Sequence, residues 1–179
     1  MIAVTINGET RTIDDPVCDL ATVTASDLFT TAWQYVEFAP TRLREDLPGE
    51  PFANSVQIAE LELLNGGQPL DLSEATATAT NNDSPSGEEP DKAIDGDITT
   101  KWLSFNKTGS TLQVDLGEPR AFDTYRWATA NDHPERDPIG WELSVSTDGI
   151  DWQAVDNRDD ASLVPEDRDT FLAPLDVTP

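Results

Sequence analysis

The stretch Lys92-Ala93-Ile94-Asp95-Gly96-Asp97-Ile98-Thr99-Thr100-Lys101-Trp102 gathers oxygen donors into one short span: the Asp95 and Asp97 carboxylates and the Thr99 and Thr100 hydroxyls. Asp-Gly calls for a turn. Glycine lets the backbone fold tightly enough to direct carbonyls inward. Hard cations such as Ca²⁺ take six to eight oxygens, which loop carbonyls and one or two carboxylates can supply. Two readings are open: a cation loop, or a solvated acidic turn leading into a buried Trp. A second polar constellation lies at Phe105-Asn106-Lys107 and at Asn131-Asp132-His133-Pro134-Glu135-Arg136-Asp137. Amide, imidazole and guanidinium donors beside an aromatic face are what a hydroxyl-rich ligand requires. Solvated polar loops are the alternative. No cluster of exposed apolar spikes is read in these loops.

Catalysis has little to assemble it. There is one His, one Cys and no nucleophile motif, so the chain is expected not to be an enzyme. Its many carboxylates reflect net acidity rather than a paired acid and base. Asn82-Asp83-Ser84 and Asn106-Lys107-Thr108 fit the N-glycosylation pattern and matter only in a glycosylating host.

The elements that must position these loops read as strands. Alternation in Gln34-Tyr35-Val36-Glu37-Phe38, and apolar runs at Thr111–Leu116, Phe122–Thr129, Trp141–Ser146 and Trp152–Val155, are separated by turn residues. No convincing amphipathic helix appears. Short strands with regular turns predict an all-β, antiparallel sandwich or jelly roll. In Ser55–Leu63 the apolar parity slips: Val56 and Ile58 share one face, Leu61 and Leu63 the other. A β-bulge at Ala59-Glu60 would produce that slip. Trp102, Trp127, Trp141 and Trp152 are expected in the core, and Arg126 in a structural ion pair. At the N-terminus, Ile2, Val4 and Ile6 alternate ahead of Asn7-Gly8, a hairpin signal. Ser26-Asp27-Leu28-Phe29 could cap a helical turn. The expected division is a hairpin or anchor over 1–32 and a sandwich domain over 33–179. A further strand is read at Thr170-Phe171-Leu172.

Four ordered motifs resemble discoidin, or coagulation-factor type C, domains and related galactose-binding-like carbohydrate modules. Ala93 to Trp102 resembles their Asp-Gly loop, and Leu112-Gln113-Val114-Asp115-Leu116-Gly117 their next strand. Tyr125 to Asp132 is similar to a central strand, and Trp141 to Gly149 with Trp152 to a hairpin. The resemblance covers about Gln34 to Leu175. It implies a structural Ca²⁺ held by the Lys92 carbonyl, the Asp95 carboxylate, the Asp97 carbonyl and Thr100 through carbonyl and hydroxyl. The Ala59 carbonyl and Glu60 carboxylate would close the shell. The family carries the Ile-Ala-Glu strand after the Asp-Gly loop. Here Ile58-Ala59-Glu60 precedes it, so the resemblance implies a circular permutation. It places ligand contacts at Phe105, Asn106, Asn131, His133 and Arg136.

The charge bounds the partners. With 35 Asp plus Glu against 11 Lys plus Arg, the net charge is −24. Nucleic acid is excluded as a partner, because phosphate contacts require a basic surface. Low Lys and high acidity in a well-patterned chain look like proteins of salt-loving hosts, where salt screens self-repulsion; an ordinary acidic extracellular domain is the other reading. No apolar run approaches the roughly 18–20 residues that span a bilayer, and no signal-peptide pattern opens the chain. The lone Cys18 excludes an intrachain disulfide. Similar permuted domains occur in tailed-virus structural proteins. The chain is therefore expected on a virion surface, of a tailed phage or haloarchaeal virus. There it would be a capsid decoration, turret or fibre component contacting cell-surface carbohydrate. A homo-oligomer is expected, with residues 1–32 meeting other virion or surface proteins. The alternative is an extracellular carbohydrate-binding accessory module; a glycan-active enzyme comes last.

Overall fold

The computed structural model describes residues 31–178, together with the backbone of two strands near the N-terminus. The chain divides into two units, Met1–Thr31 and Ala32–Pro179. In the first, β1 (Ile2–Ile6) pairs antiparallel with β2 (Glu9–Ile13), from Ile2↔Ile13 to Ile6↔Glu9. The Asn7-Gly8 turn, Cys18 and the expected cap at Ser26–Phe29 lie outside the described residues.

The second unit is built from antiparallel strands. They are β3 (Trp33–Leu43), β4 (Val56–Ile58), β5 (Glu60–Asn65), β6 (Gln68–Pro69), β7 (Thr76–Thr80), β8 (Trp102–Ser104), β9 (Thr111–Arg120), β10 (Thr124–Ala128), β11 (Pro138–Ser146), β12 (Gln153–Asp159) and β13 (Leu175–Asp176). One sheet runs β12-β11-β3-β9-β7, the facing one β13-β10-β5-β6, and β4 with β8 forms a short ribbon. This is the all-β, antiparallel sandwich that the strand pattern predicts. β3 and β5, which precede the Asp-Gly loop, lie inside the two sheets, each between strands from later in the chain.

The two inner faces meet on aromatic rings. Phe38 lies 6.2 Å edge-on to Trp127 and 6.1 Å from Trp141, and the two indoles cross at 5.6 Å and 89°. Such offset and edge-on contacts add to the burial of apolar area. Trp102 is equally inaccessible and Trp33 nearly so, but Trp152 is only half-buried, outside the core expected for it. Trp141 solves its buried N–H by donating to the Tyr125 hydroxyl at 2.7 Å, which itself donates to Asp156 at 2.7 Å. Burial pushes the Tyr125 phenol up, so it stays a donor. Arg126 forms the expected ion pair, with Glu62 at 2.6 Å.

The parity slip in Ser55–Leu63 has a different origin from a bulge. At Ala59 the chain leaves its ribbon with β8 and joins β10 in the four-stranded sheet, with the Ala59 N–H bonded to the Ala128 carbonyl at 2.9 Å. A change of partner strand, not an extra residue against one partner, turns the side chains over. Two further boundaries move. β12 runs on to Asp159, because an edge strand can carry solvent-facing charges that hide it from a hydrophobic pattern. Phe171 makes only an isolated bridge to Ala128, and the last strand is β13.

Replacing Tyr125 with Phe keeps the ring and removes the relay, leaving the Trp141 N–H buried without an acceptor. Urea denaturation should show a loss of about 1–3 kcal/mol with an unchanged denaturant slope; a loss near zero would mean the relay contributes nothing.

Candidate functional site

The Asp-Gly loop is closed by its own short-range bonds. Gly96 sits at φ +76°, a backbone region that L side chains rarely adopt. The Asp95 carboxylate accepts from the Asp97 N–H at 3.0 Å, and the Asp97 carboxylate from the Thr99 N–H at 3.0 Å and hydroxyl at 2.6 Å. Those Thr99 bonds hold the Asp97 carboxyl below its usual range. Asp97 therefore turns its carbonyl, not its carboxylate, toward Thr100.

The Thr100 hydroxyl shows what the loop is shaped for. Four oxygens surround it: the Asp97 carbonyl at 2.9 Å, the two Asp95 carboxylate oxygens at 3.0 and 3.1 Å, and the Lys92 carbonyl at 3.4 Å. A hydroxyl donates one hydrogen bond. The Asp97 carbonyl also accepts from the Thr100 N–H at 3.0 Å, and the Asp95 carboxylate from the Asp97 N–H and the Lys92 ammonium. Four oxygens still converge on one point, the arrangement a hard cation satisfies. Among the described residues no three His, Cys, Asp or Glu side chains form a metal cluster. The donors here are mainly carbonyl and hydroxyl, a set that suits Ca²⁺ rather than a transition metal.

Glu60 reaches this loop from the start of β5. Its carboxylate accepts from the Gly96 N–H at 3.1 Å, although the side chain is 4% exposed. Burial, then the neighbouring Asp95 carboxylate, push the Glu60 carboxyl up to about 8. Ala59, fully buried, stands beside it at the strand change. Lys92 leans its ammonium on Asp95 at 3.3 Å. The residues present thus fit a Ca²⁺ ion. Lys92, Asp97 and Ala59 would offer carbonyls, Asp95 and Glu60 carboxylates, and Thr100 its hydroxyl and carbonyl. The ion would supply charge compensation and rigidity, not chemistry.

The candidate ligand loops both lean on the β4–β8 ribbon. Phe105 continues β8, while Gln57 of β4 donates to the Asp132 and His133 carbonyls. Lys101, almost buried, grips Asp132 at 2.6 Å and Asn131 at 3.1 Å. Several expected ligand groups are already engaged. The Asn106 amide donates to the Asn81 carbonyl at 2.7 Å, and the Asn131 oxygen accepts from Lys101. Arg136 is folded down near Asp132, with 13% of its side chain exposed. His133, at φ 46°, holds its Nδ1 on Glu135 at 2.8 Å, and half of its side chain is accessible. Phe105 is 44% exposed.

Sequence reasoning missed Phe52. It is 78% exposed, and the Lys107 ammonium lies 3.8 Å from its ring centroid while also pairing with Glu45 at 2.8 Å. Phe105, expected as an aromatic contact, is exposed as well. The only signal was Phe52 standing directly after the Pro48–Pro51 stretch, between Pro51 and Ala53, where no period marks it.

Residues 92–174 match the F5/8 type C family model described as a NedA-like, galactose-binding domain. The match begins at the oxygen loop and ends just before β13, so the likeness to that family covers the segment from that loop through β12 and the turns that follow it. No curated protein and no solved structure matches the chain.

The proton on Glu60 gives the metal a pH signature. Between its ordinary value of 4.5 and about 8, the folded chain holds a proton that the unfolded chain has lost. Metal-free stability should therefore fall as pH rises through that window. A Ca²⁺ ion bound here would take the place of the proton, so its stabilisation should grow toward pH 8. At saturating Ca²⁺ the melting temperature should rise by about 5–10 °C over chelator, and Asp95→Ala should abolish the rise. Equal melts in Ca²⁺ and chelator at every pH would leave the loop as a turn.

Proposed function

We propose that this protein is a non-catalytic, carbohydrate-binding surface protein whose sugar site lies on Phe52, Phe105, Lys107 and His133. The match over 92–174 supports carbohydrate-binding capacity, since domains of this type are non-catalytic binding folds. The observation that carries the reading is the exposed Phe52 ring with Lys107 above it, Lys107 standing two residues after the exposed Phe105. An aromatic face accepts the apolar side of a sugar ring, while ammonium and imidazole groups meet its hydroxyls. Asn106, Asn131 and Arg136 act in this reading as struts that hold the loops. A structural Ca²⁺ at Asp95 and Glu60 would stiffen the other end of the β4–β8 ribbon, where Ile58 pairs with Trp102.

The setting we infer is a virion surface, as a capsid decoration, turret or fibre component touching host glycans. The acidic balance suits a salt-loving host, in which dissolved ions screen a net charge of −24. The strand order supports a circular permutation: β3, β4 and β5 precede the matched segment, yet β3 and β5 complete its two sheets. Chain ends in sandwiches often lie close together, which makes such a rearrangement tolerable.

A glycan array followed by calorimetry tests the site. The wild type should bind a restricted set of glycans. Phe52→Ala and Phe105→Ala should each weaken binding about tenfold, or roughly 1.4 kcal/mol, without lowering the melting temperature. His133→Ala should do so to a smaller degree. Absence of binding to any glycan at millimolar concentration would overturn the reading.

A further inference from the structure

The edges of the two sheets are protected unequally. β12, at one side of the five-stranded sheet, carries Asp156, Arg158 and Asp159, and its register with β11 shifts between Leu143 and Ser144. Charge and irregularity are devices that keep a sheet edge from pairing with another chain. The four-stranded sheet ends in β13 and β6, each of two residues. β7 at the remaining edge has no such device. Thr76-Ala77-Thr78-Ala79-Thr80 pairs with β9 without a register shift, from Thr76↔Asp115 to Thr80↔Thr111.

The neutral run extends from Ala75 to Asn82 in a chain of which 26% is charged. Ala77 and Ala79 pack on the core, while Thr76, Thr78 and Thr80 are exposed. Among the described residues, no backbone group of Thr76–Thr80 bonds to anything but β9. A regular, uncharged strand of β-branched and small residues is a template for one more strand.

We propose that β7 pairs antiparallel with β7 of a second copy, about a two-fold axis through Thr78, so that two five-stranded sheets become one continuous sheet. The strand reads the same in both directions, so a two-fold contact, in which residue i meets j and j meets i, pairs Thr with Thr and Ala with Ala along its length. Centred on Thr78, the register sets Thr76 against Thr80 and Ala77 against Ala79. The same register sets Glu74 against Asn82 and Ser73 against Asp83, so no carboxylate faces a carboxylate across the seam. An unrelated partner strand would require neither feature. Repulsion between two chains of net charge −24 opposes the contact. Dissolved salt therefore strengthens it, the reverse of an ion-paired interface. None of this depends on the glycan reading.

Sedimentation equilibrium of wild type, Thr78→Val and Thr78→Lys, from low to molar NaCl, tests the contact. The wild type should form a dimer whose dissociation constant falls as NaCl rises. Thr78→Val should match it. Thr78→Lys, which places two ammonium groups on the axis, should weaken it about tenfold or more with an unchanged melting temperature. Amide hydrogen exchange within Thr76–Thr80 should slow as protein concentration rises. In a Cys18→Ser background, Thr78→Cys should cross-link two chains on oxidation and Thr108→Cys should not, which reads the register even if the Lys variant fails to fold. A monomer at every salt and concentration overturns the proposal. So does a dimer without the Thr78→Cys cross-link, or one whose β7 amides stay unprotected.

Discussion

A carboxylate carried into the protein interior at Glu60 constrains everything around the oxygen loop. The chain changes partner strand one residue earlier, leaving β8 for β10, and the turn of the backbone there delivers Glu60 to the Gly96 N–H. A buried anion close to Asp95 is unfavourable unless a proton or a cation compensates it. The loop supplies the means of compensation, because its carbonyls and the Thr100 hydroxyl converge on the same side. The strand change and the loop are therefore two halves of one structure, although 36 residues of chain separate Glu60 from Gly96.

The few cations are used to hold loops rather than to neutralise the surface. Among the described residues every Lys, and every Arg except Arg120, pairs with a carboxylate. Arg120 instead donates to the Asp71 carbonyl. The pairs that matter most are sheltered. Asp137, inaccessible to solvent, takes two bonds from Arg168 at 3.0 and 2.6 Å, with Arg44 at 3.6 Å. Burial pushes the Asp137 carboxyl up to about 6 against the pull of those guanidinium groups. Removing one partner of such a group is more damaging than removing an exposed pair. What remains outside is a surface of unpaired carboxylates, interrupted at the Phe52–Phe105 face and along β7. The proposed glycan contact falls at the first of these and the proposed contact between copies at the second.

The sequence by itself determined the sandwich, the aromatic core positions and the oxygen loop. Each is written locally: alternation of period two, turn residues at strand ends, and Asp-Gly with hydroxyls two to five residues on. Glu60 could be tied to the loop only through resemblance, since nothing local links residues 60 and 96. Tertiary structure alone decided the rest. It showed the parity slip to be a change of sheets, because a period records which way a side chain faces and not which strand it faces. It half-exposed Trp152 and wholly exposed Phe52, because burial depends on what packs above a residue. It engaged Asn106 and Asn131 within the protein, because a side chain's freedom depends on neighbours that the chain brings from 25 or more residues away. And it left β7 with one bare edge, because strand order, unlike strand identity, is a property of the whole sheet.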